Sequence, residues 1–127
     1  MGMNFTNWLE NREEIGDVYW GPYSFVTEEP FVEKGRASYY ASRFNGRRTS
    51  FGEVFNQDEL TAAHKTLKLG TFVRVTNLSN DSTVIVRVND RLSKSSKHTI
   101  DLTLKAAKQL NFVRDGSAKV KIETIVQ

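Results

Sequence analysis

The sequence predicts an all-β fold, a small barrel with one or two short helices. Three observations lead there: segments whose apolar and polar residues alternate with period two, clusters of turn-forming residues between them, and one amphipathic helical stretch near the C-terminus. Successive side chains of a strand point to opposite faces, so such alternation marks a ribbon with one face in a core. Ala37-Ser38-Tyr39-Tyr40 is expected as a short strand, and Arg43 to Gly52 as a polar, glycine-bearing loop. Thr71 to Leu78 alternates cleanly, Ser79-Asn80-Asp81-Ser82 is a turn cluster, and Thr83 to Asn89 follows, so a hairpin is expected. After a polar loop at Ser93 to Lys97, Thr99 to Leu102 is a short strand. Thr103 then caps a helix over Leu104 to Leu110, with Leu104, Ala107 and Leu110 on one face. Asp115-Gly116 turns the chain into a closing strand, Ala118 to Ile125.

Residues 1–34 differ from the rest. Asn4 to Glu10 is expected to open one short helix, capped by Asn4 or Thr6, before Gly16, Gly21-Pro22 and Pro30 break any long element. The segment holds Trp8, Trp20, Tyr19, Tyr23, Phe25 and Phe31, an aromatic density foreign to a disordered tail. The expected division is an aromatic extension over 1–34, partly packed on the barrel, and the barrel itself over 35–127.

Composition narrows the classes. A chain of 127 residues is one domain, and monomer is the default. No run approaches the ~20 apolar residues of a transmembrane helix. The start, Met1-Gly2-Met3-Asn4, shows no export signal. Without cysteine there are no disulfides, no thiolate zinc and no cysteine nucleophile. The only histidines are His64 and His98, with no helical i,i+4 pairing, so neither a metal nor a cofactor is expected. Phosphate-cradling glycine loops and a Gly-x-Ser-x-Gly elbow are missing too. The net charge of +3 fits an anionic polymer without identifying one. The basic residues are dispersed along the chain, so nucleic acid is not an expected partner.

Three short polar motifs stand out: Gly52-Glu53, Thr61-Ala62-Ala63-His64 and Val88-Asn89-Asp90-Arg91. Each ends a strand-like or apolar stretch with an acid or a base. Charged groups beside a core are costly unless paired or used. Brought together, Glu53, His64 and Asp90 make an active site; kept apart, they are three ordinary surface residues.

These motifs also carry a resemblance. With Gly35-Arg36-Ala37-Ser38-Tyr39-Tyr40, Phe44-Asn45-Gly46-Arg47-Arg48-Thr49, Leu69-Gly70-Thr71, Val73 to Leu78, Ile100-Asp101-Leu102 and Ala106-Ala107, the chain resembles the RlpA (rare lipoprotein A) family, in order and spacing, from about Gly35 to Ile125. The resemblance implies a six-stranded double-psi β-barrel related to expansins, to the lytic transglycosylase MltA and to family-45 endoglucanases. It implies location in the bacterial cell envelope, with a lipid anchor in many precursors. It implies peptidoglycan glycan strands as partner and endolytic lytic transglycosylase activity that leaves 1,6-anhydromuramyl ends. The alternative it leaves open is an expansin-like module that binds glycan without cutting. Many members carry a SPOR domain; this chain ends directly after the barrel, and none is expected in it.

Carried over by motif, Asp90 is the implied catalytic acid, with Glu53 and His64 in support and Asp101 lining the groove. Tyr40 and Phe44 are candidates to stack on sugar rings, Arg47 to meet a muramyl carboxylate, and Arg91 to bind substrate. In a lytic transglycosylase one carboxyl protonates the leaving oxygen, then takes the proton of the attacking 6-hydroxyl. Asp90 would need a raised pKa for the first step. Each candidate also has a structural reading. Asp90 could cap a turn or pair with Arg91, Glu53 could bind backbone amides, His64 could sit satisfied in the core, and Asp101 could stabilise the helix start. Leu92-Ser93 replaces the family's Gly-Pro after Asp-Arg, Lys68 stands where proline is common, and Phe51 where a small residue is common.

Overall fold

The computed structural model describes residues 30–40 and 44–125. The expected helix at Asn4 to Glu10, the aromatics from Trp8 to Phe25, and Arg43 lie outside them. Six strands and one helix follow in order: β1 Val32–Tyr39, β2 Thr61–His64, β3 Phe72–Asn77, β4 Thr83–Arg91, β5 Ile100–Leu102, α1 Leu104–Gln109 and β6 Ala118–Thr124. The strands close into a barrel in the order β1-β5-β2-β4-β3-β6, with β6 returning to β1. Two pairs, β1–β5 and β2–β4, are parallel, and the others are antiparallel. This is the double-psi barrel that the resemblance implies.

The hairpin β3–β4 forms as its alternation predicts. Val73, Val75, Val84, Val86 and Val88 are buried, and Arg74 and Ile85 face out. The first strand is longer than expected, starting at Val32 rather than Ala37. Its early residues alternate polar with polar, so the period-two signal is silent there, and pairing with Lys119 to Glu123 sets the strand instead. Gly35 sits where this strand passes Thr99. A Cβ at that position would lie 2.0 Å from the Thr99 hydroxyl oxygen.

The helix begins as read. Thr103 is its N-cap, accepting a hydrogen bond from the Ala106 N–H. Ala106, Ala107 and Leu110 pack on the barrel. A helix leaves its last carbonyls unpartnered. Here the Leu110 carbonyl accepts from the side chains of Asn77 and Asn80 and from the Ser82 hydroxyl. The turn residues of the hairpin therefore double as the helix's C-terminal cap.

Candidate functional site

The barrel register lines up four residues from four adjacent strands. Ser38 of β1 stands beside Asp101 of β5, Asp101 beside Ala63 of β2, and Ala63 beside Asp90 of β4. Strands lie about 4.8 Å apart, so the α-carbons of the two aspartates are roughly 10 Å apart with only an alanine methyl between them. A shift at Ala62/Ala63 in the β2–β4 pairing brings Ala63 opposite Asp90. The Ser38 hydroxyl donates to Asp101 Oδ1.

Asp90 is held by donors on both oxygens. Oδ1 accepts from the Ser50 N–H (2.9 Å), the Ser50 hydroxyl (2.8 Å) and the Arg91 N–H (2.9 Å), and Oδ2 accepts from the Tyr40 hydroxyl (2.9 Å). Burial alone would raise this carboxyl, but the donors from Ser50, Arg91 and Tyr40 together outweigh it and hold Asp90 below the ordinary carboxylate range. The raised value expected from the sequence is therefore corrected. The donors favour the charged form of this carboxyl over the neutral one. The pairing with Arg91 considered above is also not formed. The Arg91 guanidinium instead donates to the carbonyls of His64 (3.1 Å) and Leu67 (2.7 Å).

Tyr40 donates to Asp90 and feels the charge of Asp101 as well. Burial, with the charges of Asp90 and Asp101 nearby, pushes its phenol far up, so it remains a proton donor. Its ring packs on Phe55 at 4.3 Å between centroids and edge-on against Phe44 at 6.0 Å. Arg47 lies over the Phe44 ring, 5.8 Å from its centroid.

Glu53 comes from a short hairpin, bridged between Arg48 and Val54, whose tip docks on the end of β4. The Phe51 N–H donates to the Asn89 carbonyl, and Glu53 Oε1 accepts from Arg87 Nη2 (2.8 Å) and Asn89 Nδ2 (3.0 Å). The Arg87 bond, then the Asn89 bond, hold the Glu53 carboxyl below its ordinary range. Asn89 is buried, and its Oδ1 has no partner among the described residues. One loop thus serves both acids, with Ser50 on Asp90 and Glu53 on the residue before it.

His64 is brought to the same end of the barrel but faces another way. It is 1% exposed. Its Nδ1 accepts from the N–H groups of Thr66 and Leu67, both at 3.1 Å, so the ring proton sits on Nε2, which donates to Glu33 at 2.8 Å. Phe31 meets the ring edge-on. Both nitrogens are engaged and neither touches Asp90; the imidazole shapes the turn that Arg91 grips. This geometry orders two substitutions. His64→Asn keeps an acceptor near the Nδ1 position, and His64→Gln keeps only a donor toward Glu33. The second leaves two backbone N–H groups without partners, at about 1–3 kcal/mol each. His64→Gln is expected to melt well below His64→Asn; equal melting temperatures would contradict the assignment.

Sequence reasoning missed Ser50, Phe51 and Glu33. A serine in a polar loop carries no signal of its own. Phe51 did carry one, a large aromatic in a loop, and the structure leaves it 47% exposed beside Arg87. Among the described residues no three of His, Asp and Glu gather as metal ligands, and no helix is long and apolar enough to cross a membrane.

A closed double-psi barrel with a carboxylate pair at one end defines the class. The particular family follows from comparison: residues 32–122 match the family described as lytic transglycolase, and the chain belongs to it. It is 51% identical over 96 residues to the endolytic peptidoglycan transglycosylase RlpA of Neisseria meningitidis, a match covering 76% of this chain and 40% of that protein. To the Haemophilus influenzae protein of the same name it is 45% identical over 95 residues, covering 75% and 33%. The chain thus spans well under half the length of these relatives. Among solved structures, an expansin from Clavibacter michiganensis superposes with a TM-score of 0.62 at 20% identity, over 76% of this chain and 52% of that one, a likeness of fold.

Proposed function

We propose that this barrel is an endolytic peptidoglycan lytic transglycosylase, cutting the MurNAc-GlcNAc bond and leaving 1,6-anhydromuramyl ends. The observation that carries the reading is Asp90: a carboxyl fixed on both oxygens, beside Asp101 and Tyr40, on a barrel whose relatives are named for this reaction. Asp90, protonated, donates to the leaving glycosidic oxygen. The C6 hydroxyl of the same muramyl residue then attacks the anomeric carbon, and the Asp90 carboxylate takes its proton. No water and no second nucleophile are consumed. Tyr40 holds Oδ2 in line, Asp101 and Glu53 supply charge to the groove, and Phe51 offers an exposed face to a sugar ring. His64 and Arg91 position the strand ends. Phe44 and Arg47 border the groove. The setting is the periplasmic side of the bacterial envelope, where peptidoglycan lies, and the working unit is the monomer.

The test is incubation with peptide-free glycan strands and mass spectrometry of the products. Anhydromuramyl ends are expected; reducing ends alone would mean hydrolysis, and no product would leave a binding module. The low resting pKa of Asp90 is the observation that favours this last, expansin-like reading.

That low pKa also dictates a pH dependence. Only protonated Asp90 can begin the reaction, so kcat/KM is expected to rise as pH falls from neutrality, by about tenfold per pH unit while Asp90 stays mostly ionised. Ser50→Ala removes one donor to the charged form and raises the pKa. The ratio of variant to native kcat/KM is therefore expected to lie above one and stay constant across the neutral range, falling toward one only as pH drops into the acid range where the carboxyl titrates. A ratio at or below one in the neutral range would assign Ser50 to orientation alone.

A further inference from the structure

Away from the candidate site, the register gathers cations that the sequence disperses. On the outer face of β1 and β6, Lys34 stands directly opposite Lys121, and Arg36 opposite Lys119. Arg74 of β3 adjoins Glu123 of β6 on the same face. Five cations thus share one sheet face with a single carboxylate, a net charge greater than the +3 of the whole chain. Glu123 lies 3.8 Å from Arg74 and 3.7 Å from Lys121. Lys34, Arg36 and Lys119 have no carboxylate partner among the described residues. Like charges directly opposite on a sheet destabilise it, and here two such pairs are adjacent. Between them lies a shallow hollow of about 330 Å³ lined by Lys34, Gly35, Arg36, Leu78, Lys119 and Val120. Its rim is cationic, and Leu78, 43% exposed, is the apolar side chain on its floor.

We infer that this face is a second glycan-binding surface, taking a peptide-free glycan strand as a polyanion. The inference rests on the reading above that the substrate is peptidoglycan. A muramyl residue without its stem peptide bears a free lactyl carboxylate, and along a bare strand these recur at every disaccharide. A strand with its peptides attached has those carboxylates locked in amides. A cationic rim over an apolar floor fits the bare strand twice, with the carboxylates on the lysines and the apolar face of a pyranose on Leu78. β1 runs from Lys34 and Arg36 straight to Tyr40 at the candidate site, so a strand held here lies near the groove. The surface would retain denuded strands by charge while the groove acts.

The experiment uses Asp90→Asn as background, so that binding is read without cutting, and adds Lys34→Gln, Lys119→Gln and Lys121→Gln together. At low ionic strength, about 0.01 M, where charges act over about 30 Å before they are screened, affinity for peptide-free strands is expected to fall at least tenfold. Melting temperature should be unchanged or higher, because repulsion has been relieved. A purely structural role for the lysines would lower it. Peptide-bearing strands should bind more weakly than bare ones to the parent, and the triple substitution should affect them less. Unchanged affinity for bare strands overturns the inference. So does equal loss with both kinds of strand, or tighter parent binding to phosphatidylglycerol vesicles or duplex DNA than to bare strands. Anhydromuramyl release by the protein with Asp90 intact, measured separately, tests the enzymatic reading: cutting without lysine-dependent binding removes this surface only, and lysine-dependent binding without cutting removes the enzyme only.

Discussion

Asp90→Asn is expected to abolish anhydromuramyl formation to within the reach of the assay, a loss of about 10²–10⁴-fold, the usual contribution of a positioned general acid. The amide is nearly the same shape as the carboxyl. Its oxygen can still accept from the Ser50 N–H and hydroxyl and from the Arg91 N–H, and the Tyr40 hydroxyl needs only to rotate to accept from the new NH₂. The variant should therefore fold and bind glycan, and lose only the proton. Stability tells the two states apart as well. Native Asp90 has a lowered pKa, so near and below the ordinary carboxylate range the unfolded chain binds the proton more readily. Its stabilising contribution is complete above that range and lost as pH falls through the lowered folded value. Asp90→Asn should accordingly flatten the acid limb of the stability profile. Undiminished product from the variant would remove Asp90 from the mechanism.

Gly35→Ala is expected to be the most damaging single-methyl addition in β1. The new Cβ would stand 2.0 Å from Thr99 Oγ1 and 2.7 Å from Thr99 Cβ, so rotating the threonine side chain does not clear it. Thr99 is itself pinned, its N–H donating to the Arg36 carbonyl at 2.8 Å. Overpacking of this kind costs about 1–3 kcal/mol or more, roughly 5–20 °C in melting temperature for a domain near this size. Thr99→Gly in the same chain should restore most of the loss. A melting temperature for Gly35→Ala within about 2 °C of the native protein would show that the strands part without strain.

The fold was legible where alternation is strong. β3, β4, β6, the hairpin turn and the Thr103 cap can each be read from residue type, because one face of each strand is aliphatic. β2 could not: Thr61-Ala62-Ala63-His64 is buried throughout, so it has no polar face to alternate with. For the site, the resemblance named Asp90, Glu53, His64 and Asp101, but residue type could not say which way each would face. His64 shows why. A histidine after two alanines looks the same whether it serves a groove or, as here, ties a turn to Glu33. The protonation of Asp90 was equally hidden, because it depends on Ser50, forty positions away in the chain. The cationic face was hidden for the same reason. Lys34 and Lys121 are distant in sequence and opposite only in register.

The row Ser38, Asp101, Ala63, Asp90 has a consequence for anyone who would move this site elsewhere. Two neighbouring members on β1 and β5, Ser38 and Asp101, are 63 positions apart in the chain yet joined by a hydrogen bond. β5 is only three residues long and fits between two strands that run in opposite directions. No contiguous fragment short of nearly the whole barrel contains the constellation, and no loop graft can carry it. Loops can be exchanged around it, but a one-residue slip in β4 or β5 would turn a carboxylate to the other side of the wall. What would be inherited or engineered here is the wiring of the barrel, and the acids come with it.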